Sequence, residues 1–139
     1  MKIYLPKFKN YGGVFERMPL IKTKWFSVSI HKISGPDPEW LAPHDHGCDF
    51  FSLILSGGYT ERIYVHPELG LNRTKDRTHK PWSGHILRNQ YAHRVIAAKP
   101  TKTVFITWNH LNRRPMAYTP MGHLAYKDYY GKGLHLVNK

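Results

Sequence analysis

Hydrophobic and polar residues alternate along much of this chain, and this alternation predicts β-strands rather than helices. In the segment 25–31, Phe26, Val28 and Ile30 fall on one face of such a strand. The other runs rich in β-branched and aromatic residues are also short, and Gly or Pro residues separate them. We predict further strands at 84–88, 93–98 and 103–108.

The segment 50–65 carries the strongest local signal. Residues 50–55 form a nearly continuous apolar run, as expected of a strand that is buried on both faces. After Gly57-Gly58 the alternation resumes and continues to residue 65. We therefore predict a β-hairpin over 50–65.

Many short strands with turn residues between them indicate an all-β fold, either a sandwich or a small barrel. The 139 residues fit a single domain, for which we expect a barrel core at about 24–130 after an N-terminal arm at 1–23. The segments 34–43 and 66–83 have the composition of loops, and we interpret the second as a flexible flap over a barrel mouth. Neither a membrane span nor a signal region is predicted, and Cys48 is the single cysteine, so we expect a cytoplasmic protein.

Charge is unevenly distributed along the chain, whose net charge is +12. Residues 71–114 contain ten basic residues and one acid, whereas residues 41–70 contain one base and four acids. A solvated basic surface explains this distribution as well as a phosphate-bearing or other anionic partner does. Nucleic acid thus stays open as a partner of the 71–114 region, although the pattern of no known nucleic-acid module is present.

His44 and His46 lie two residues apart inside this acidic stretch. Residues at that spacing on a β-strand point to the same face, so we expect two neighbouring imidazoles, which are half of a first-row metal site. In a chain with ten histidines, however, a His-x-His pair arises by chance about 0.7 times. The pair needs partners from other strands to make a site.

Three further residues are candidate metal ligands. His93, which begins a predicted strand after a turn at Gly84, is the best third ligand. Asp49 or Glu61 would supply a carboxylate, and a bulge at Gly47 would bring Asp49 to the face of the histidines. Asp49 could instead hydrogen-bond a ligand histidine without touching the metal.

These motifs resemble those of the cupin superfamily of double-stranded β-helix, or jelly-roll, barrels. The first cupin motif is similar to His44-x-His46 with Asp49 near its Glu position and Gly57 or Gly58 at its closing Gly. The second motif is matched only by Gly84 and His93.

The resemblance is closer to small cupin-like proteins of phages and bacteria, and it covers about residues 24–130. It rests on four segments in the same order, which are His44 to Phe50, Ser56 to Glu61, His93-Arg94-Val95 and Phe105 to Trp108. The sequence departs from these proteins at Gly47-Cys48, where Pro-Trp is usual, and at residues 108–110.

The resemblance implies a divalent metal, with Fe(II) favoured over Zn, Mn or Ni. Its ligands would be His44, His46 and His93, together with Asp49 or Glu61. The implied function is oxygenase-like chemistry on a small anionic substrate, with the metal as a Lewis acid.

Further residues could bind the substrate or take part in catalysis. Arg88 and Arg94 lie on or beside the strand of His93 and could anchor an anion bidentately. Tyr59 and Tyr91 could donate hydrogen bonds or protons to it, and Glu61 is a further catalytic candidate.

Two other functions stay open. A non-catalytic module would sequester a nucleotide or a nucleic-acid phosphate with the 71–114 region. A metal-free cupin of the sugar-nucleotide epimerase type would use His44 or His46 as its base and a tyrosine as its acid. The resemblance also implies a homodimer and, for a phage-encoded protein, the host cytoplasm.

The remaining histidines and the cysteine receive plainer predictions. We expect His31 to be packed at the edge of the core and Cys48 to be a buried thiol rather than a ligand. His66, His79 and His85 flank the basic connection and are expected to be solvated. The aromatic tail at 118–130 is expected to pack on the barrel as an edge segment.

Overall fold

In the computed structural model, residues 1–10, 14–38, 41–110, 116–119 and 122–125 are described, and they form an almost entirely β structure. The strands are β1 (Lys2–Ile3), β2 (Lys9–Asn10), β3 (Phe15–Lys22), β4 (Phe26–Ile33), β5 (Asp49–Ser56), β6 (Tyr59–Tyr64), β7 (Thr74–His79), β8 (Gly84–Leu87), β9 (Ala92–Ala98), β10 (Thr101–Trp108), β11 (Met116–Thr119) and β12 (Gly122–Ala125). A short 3-10 helix, Pro67–Leu69, follows β6. Among these residues no helix is long and apolar enough to cross a membrane. Most of the aromatic tail predicted at 118–130 lies outside the described residues, as do residues 111–114 of the basic region.

The strands form two main sheets. The larger sheet has the order β1-β3-β4-β10-β5-β8, with β2 also paired to β3. The smaller sheet has the order β7-β6-β9, and the backbone of His44 links it to the β11–β12 pair through bridges with His93 and Ala117. The segment 1–23, expected as an arm, thus supplies three strands to the larger sheet.

The hydrophobic core lies between these two sheets. Phe50, Leu87 and Phe105 of the larger sheet pack against Ile63 of the smaller one. A second buried cluster forms around Ile54 of β5, which is 0% exposed. Burial of each such side chain contributes about 1.5–3 kcal/mol, so this contact between the sheets is what fixes the positions of the strands that carry the candidate site.

All six strands predicted from the alternation are present, as β4, β5, β6, β8, β9 and β10. The all-β prediction is therefore confirmed. The alternation was sufficient to reveal these strands, although in β4 the buried residues are Ser29 and His31, so Phe26, Val28 and Ile30 lie on the face that is turned away from the core.

The hairpin predicted over 50–65 is wrong. β5 pairs with β10 and β8, whereas β6 pairs with β7 and β9, so the two consecutive strands belong to different sheets. Between them Thr101 Oγ1 accepts a hydrogen bond from the Gly58 N–H at 2.9 Å, and the Lys99 N–H donates to the Gly58 carbonyl at 3.0 Å. These bonds hold the turn against the start of β10 and direct the chain into the second sheet.

The flexible flap predicted over 66–83 is also wrong, because this segment contains β7. The strand reads Thr-Lys-Asp-Arg-Thr-His and so lacks the apolar alternation that would reveal it. Cross-strand charge pairs hold it to β6 instead. Arg62 lies 2.9 Å from Asp76, and Arg77 lies 2.9 Å from Glu61.

The substitution Gly57→Ala should destabilise the protein by about 1–3 kcal/mol. Gly57 has a φ of +83°, and a Cβ there would lie 2.1 Å from the backbone oxygen of Pro100. Gly70→Ala is the matched control, since Gly70 has a φ of +134° but nothing within 4 Å of an added Cβ. Urea unfolding would compare the variants, and equal losses would show that the contact with Pro100 contributes nothing.

His31 and Cys48 are both buried, as predicted. His31 stacks on Phe105 with ring centroids 4.1 Å apart, and burial lowers its pKa to about 3. Burial raises the pKa of the Cys48 thiol to about 11, and Cys48 belongs to neither group of candidate metal ligands among the described residues.

Candidate metal centre

Three imidazoles meet where the smaller sheet continues from β9 to β11. His93 lies on β9, and His44 and His46 lie in the segment that precedes β5. The ring centroids are 5.2 Å apart for His44 and His46, 5.1 Å for His44 and His93, and 5.0 Å for His46 and His93. One nitrogen of each ring lies within 4.8 Å of the others. The structure thus brings together the three histidines predicted as ligands.

The backbone of the histidine pair does not form the regular strand that the sequence predicts. Only His44 forms β-bridges, and Gly47 has a φ of 63°. Asp45, which is 1% exposed, holds this irregular turn. Its Oδ1 accepts hydrogen bonds from the N–H groups of Gly47 at 3.2 Å and Met116 at 3.0 Å, and its Oδ2 accepts one from the Tyr118 hydroxyl at 2.9 Å. Sequence reasoning missed this role, although an acid between two candidate ligands was a visible signal.

Hydrogen bonds orient the imidazoles toward one another. His93 Nδ1 donates to Glu61 Oε2 at 2.8 Å, which leaves the lone pair of His93 on Nε2. That Nε2 lies 2.8 Å from Nε2 of His46, so only one of these two nitrogens carries a proton. His44 Nδ1 lies 3.4 Å from the Ala42 carbonyl oxygen, which leaves Nε2 as the lone-pair nitrogen of His44.

His44 and His46 are held in the neutral form that binds metals. Burial, reinforced by the nearby His93, lowers the pKa of His44 to about 3. The same two causes lower the pKa of His46 well below its usual value. In an octahedral site with bonds of about 2.1 Å, adjacent ligand atoms lie about 3 Å apart, close to the 2.8 Å between His46 and His93. The donor set therefore fits a divalent transition metal.

Glu61 lies behind His93 and is 0% exposed. Its Oε1 accepts hydrogen bonds from Arg77 Nη2 and His79 Nε2, both at 2.9 Å, while its Oε2 accepts the one from His93. Burial alone would raise the pKa of Glu61, but the hydrogen bonds from His79 and His93 outweigh it and lower this pKa, so the carboxylate stays ionised. Of the two carboxylates predicted from the sequence, Glu61 is the one that reaches the imidazoles, and it does so through His93.

Asp49 is not brought to the imidazoles. It begins β5, and the next residue, Phe50, lies edge-on to the His46 ring with centroids 5.0 Å apart. Neighbouring residues of a strand point to opposite faces, so Asp49 points away from His46. Its carboxylate accepts hydrogen bonds from the backbone N–H of Asn89 at 2.8 Å and from the side chain of Asn109 at 3.1 Å. Asp49 thus ties β5 to the turns after β8 and β10.

The two predicted substrate arginines differ in position. The Arg88 side chain is 55% exposed and lies 3.3 Å from Asp49 Oδ2. Arg94 follows His93 on β9, so its side chain points to the opposite face of the sheet. There it donates to the Pro38 carbonyl at 3.0 Å.

The two predicted tyrosines also differ. Tyr59 is 7% exposed, and its hydroxyl lies 3.0 Å from His85 Nε2. Burial, with Glu61 nearby, raises its pKa, so it remains a neutral phenol. Tyr91 is half-buried and packs against the core cluster that contains Phe50.

His79 and His85 are buried, so the prediction that they are solvated is wrong. They are 6% and 8% exposed, and their rings stack with centroids 3.5 Å apart. His79 pairs with Tyr59 across β6 and β7, which places it on the inward face beside Glu61. Recognition of β7 would have revealed this, because Arg77 and His79 alternate in phase with Glu61 and Tyr59. The His66 side chain, by contrast, is 57% exposed, as predicted.

Comparison with solved structures identifies the fold. Hydroxypropylphosphonic acid epoxidase from S. wedmorenis is similar with a TM-score of 0.58 and 14% identity over 78% of this chain, which spans 59% of the epoxidase chain. KdgF from Halomonas sp. has a TM-score of 0.58 at 10% identity over 77% of this chain and 94% of its own. Streptomyces albus HEPD, with 2-hydroxyethylphosphonate and Fe(II) bound, has a TM-score of 0.58 at 12% identity over 71% of this chain and 22% of its own.

Neither a protein-family model nor a curated protein matches the sequence. At these low identities the likeness shows the fold alone, and it agrees with the antiparallel sheets that enclose the core of this chain. The chain therefore has the cupin fold.

Proposed function

We propose that this chain is a metal-dependent cupin enzyme that acts, like an oxygenase, on a small anionic substrate. The observation that carries the proposal is the convergence of three imidazole nitrogens within 4.8 Å, one of them on a ring oriented by a buried carboxylate. Three protein ligands leave coordination positions open, as in catalytic rather than structural metal sites. Fe(II) is favoured, with Zn, Mn and Ni as alternatives, because histidine ligands with open positions suit iron. The Fe(II) and phosphonate bound to S. albus HEPD support the same choice.

In this proposal the protein's residues hold and shield the ion. His44, His46 and His93 bind it, and when bound it supplies a Lewis acid for the substrate. Glu61 keeps the proton of His93 on Nδ1, so that the Nε2 lone pair stays directed at the ion. The Phe50 ring beside His46 keeps water away from this imidazole.

Two further side chains are proposed to bind the substrate. Arg88, whose side chain is 55% exposed, would pair with its anionic group. Tyr91 would donate a hydrogen bond to the substrate. Arg94 faces the opposite side of the sheet from His93, and the Tyr59 hydroxyl is directed to His85, so neither is assigned to this substrate.

The proposal is tested by loading the purified chain with Fe(II) under anaerobic conditions and adding nitric oxide as a probe of open coordination positions. We expect an iron–nitrosyl EPR signal that 2-hydroxyethylphosphonate perturbs and that His46→Gln abolishes. His66→Gln is the control and should leave the signal unchanged, because the His66 side chain is 57% exposed. Absence of the signal in the wild-type chain would overturn the proposal. A signal that neither the phosphonate nor inorganic phosphate changes would overturn the anionic substrate.

A further inference from the structure

A second group of metal-binding side chains lies next to the first. It consists of Glu61 on β6, His79 on β7 and His85 on β8, which are 0%, 6% and 8% exposed. One donor atom of each residue lies within 4.8 Å of the other two. Because β8 belongs to the larger sheet and β6 and β7 to the smaller one, the group lies between the sheets.

The donor atoms converge on one oxygen of the carboxylate. Glu61 Oε1 lies 2.9 Å from His79 Nε2 and 3.7 Å from His85 Nε2. A tetrahedral ion with bonds of about 2.0–2.1 Å places its ligand atoms about 3.3 Å apart. The two distances lie on either side of that value. The Tyr59 hydroxyl, 3.0 Å from His85 Nε2, offers a fourth oxygen.

The hydrogen bonds around Glu61, His79 and His85 leave one buried polar atom of His85 without a partner among the residues that the structure describes. His85 Nε2 is too far from Glu61 Oε1 for a hydrogen bond, and His85 Nδ1 is buried without a partner in the described part of the chain. An unsatisfied buried polar atom costs about 1–3 kcal/mol. A cation bound at His85 Nε2 would join this imidazole to the Glu61 carboxylate, which lies beyond hydrogen-bond distance of it, whereas Nδ1 on the other side of the ring would stay without a partner among the described residues.

Tyr59 and His79 also line a cavity of about 570 Å³ at the ends of β6, β7 and β9. Gly57-Gly58 and Lys99 contribute to its wall, whereas His44, His46 and His93 do not. The second group thus borders a cavity that the residues of the first group do not line.

We propose that Glu61, His79 and His85 form a second binding site for a divalent transition metal. The Glu61 carboxylate stands between the two sites, with Oε1 toward this group and Oε2 toward His93. His79 and His85 stack with an interplanar angle of 16°, so one ring has to tilt for both lone pairs to reach the ion. Arg77 remains a hydrogen-bond donor to Oε1.

The test counts tightly bound ions. The untagged full chain is stripped with a chelator, loaded with Co(II), dialysed against a weak chelator to remove ions on exposed histidines, and measured by elemental analysis and visible absorption. We expect two ions per chain in the wild type. We expect one in the pair His79→Gln with His85→Gln, and one, with different absorption, in the pair His44→Gln with His46→Gln. His66→Gln is the control and should retain two.

A single ion per chain in the wild type that is lost in the pair His44→Gln with His46→Gln would overturn the second site. So would a chain without His44 and His46 that binds no ion. If the variant at His79 and His85 does not fold, the variant at His44 and His46 still decides, because its one remaining ion has no other buried ligand group among the described residues. Failure of the first site alone would leave that single ion in place, so the two proposals are distinguishable.

Discussion

The substitution His93→Gln should lower the affinity of the His44–His46–His93 site for Fe(II) more than about a hundredfold. Loss of a hydrogen-bond partner outside the ligands already costs about 10–100-fold in metal affinity, and loss of a ligand costs more. Nε2 of His93 also lies 2.8 Å from Nε2 of His46, another candidate ligand. Loss of the His93 imidazole therefore removes one metal ligand, and it also removes the contact that orients the imidazole of His46, a second ligand.

The affinity is measured by competition with a chromophoric chelator in chains that also carry His79→Gln and His85→Gln, so that ions bound at the second group do not contribute. His66→Gln is again the control, because it removes an imidazole whose side chain is 57% exposed. Urea unfolding of each variant separates loss of binding from loss of structure. If His93→Gln bound iron within threefold of the wild type, His93 would not be a ligand and the three-histidine site would be refuted.

How far the sequence predicts this site depends on the kind of pattern each element carries. The strands that hold Phe50, Glu61 and His93 have an apolar face, so alternation reveals them. The spacing of His44 and His46, combined with a later histidine on a strand, was enough to select the three residues that meet in the structure.

The parts that sequence reasoning missed depend on pairing between distant segments. β7 is polar throughout and is held by its charge pairs with β6, which no local pattern shows. Because the sequence does not predict β7, no strand face can be assigned to His79, and its side chain was therefore predicted to be solvated. The separation of β5 from β6 depends likewise on their partners β10 and β9, because a Gly-Gly turn is equally suited to a hairpin and to a change of sheet.

The choice between Asp49 and Glu61 could not be made from spacing. Asp49 is nearer to His46 in sequence, but the adjacent Phe50 points inward, which turns Asp49 outward. Glu61 is fifteen residues beyond His46 and reaches His93 because β6 and β9 pair, with Glu61 opposite Val95. Register between strands, rather than distance along the chain, selects the carboxylate.

That carboxylate should also dominate stability, and Glu61→Leu is expected to destabilise the protein by about 3–5 kcal/mol. A leucine side chain fills a similar volume and leaves no large cavity. The expected loss of stability therefore comes from the buried hydrogen-bond donors that lose their acceptor. Arg77, His79 and His93 each donate a hydrogen bond to Glu61 and would be left without their acceptor. Arg77 can recover some hydration because its side chain is 30% exposed, whereas the side chains of His79 and His93 are 6% and 12% exposed.

Glu61→Gln separates the electrostatic role from the orienting one. Its amide has one oxygen and one NH₂ group, so it can accept on one side only. If the NH₂ group faces His93, the proton of that imidazole must move from Nδ1 to Nε2, which removes the lone pair for the metal. We expect metal affinity at the three-histidine site to fall about 10–100-fold, with a smaller loss of stability than in Glu61→Leu.

Asp76→Asn, which breaks an exposed ion pair on the same two strands, should change neither the metal affinity nor the free energy of unfolding appreciably. Urea unfolding and chelator competition measure both effects, and a Glu61→Leu variant as stable as the wild type would show that the buried carboxylate does not hold these strands together.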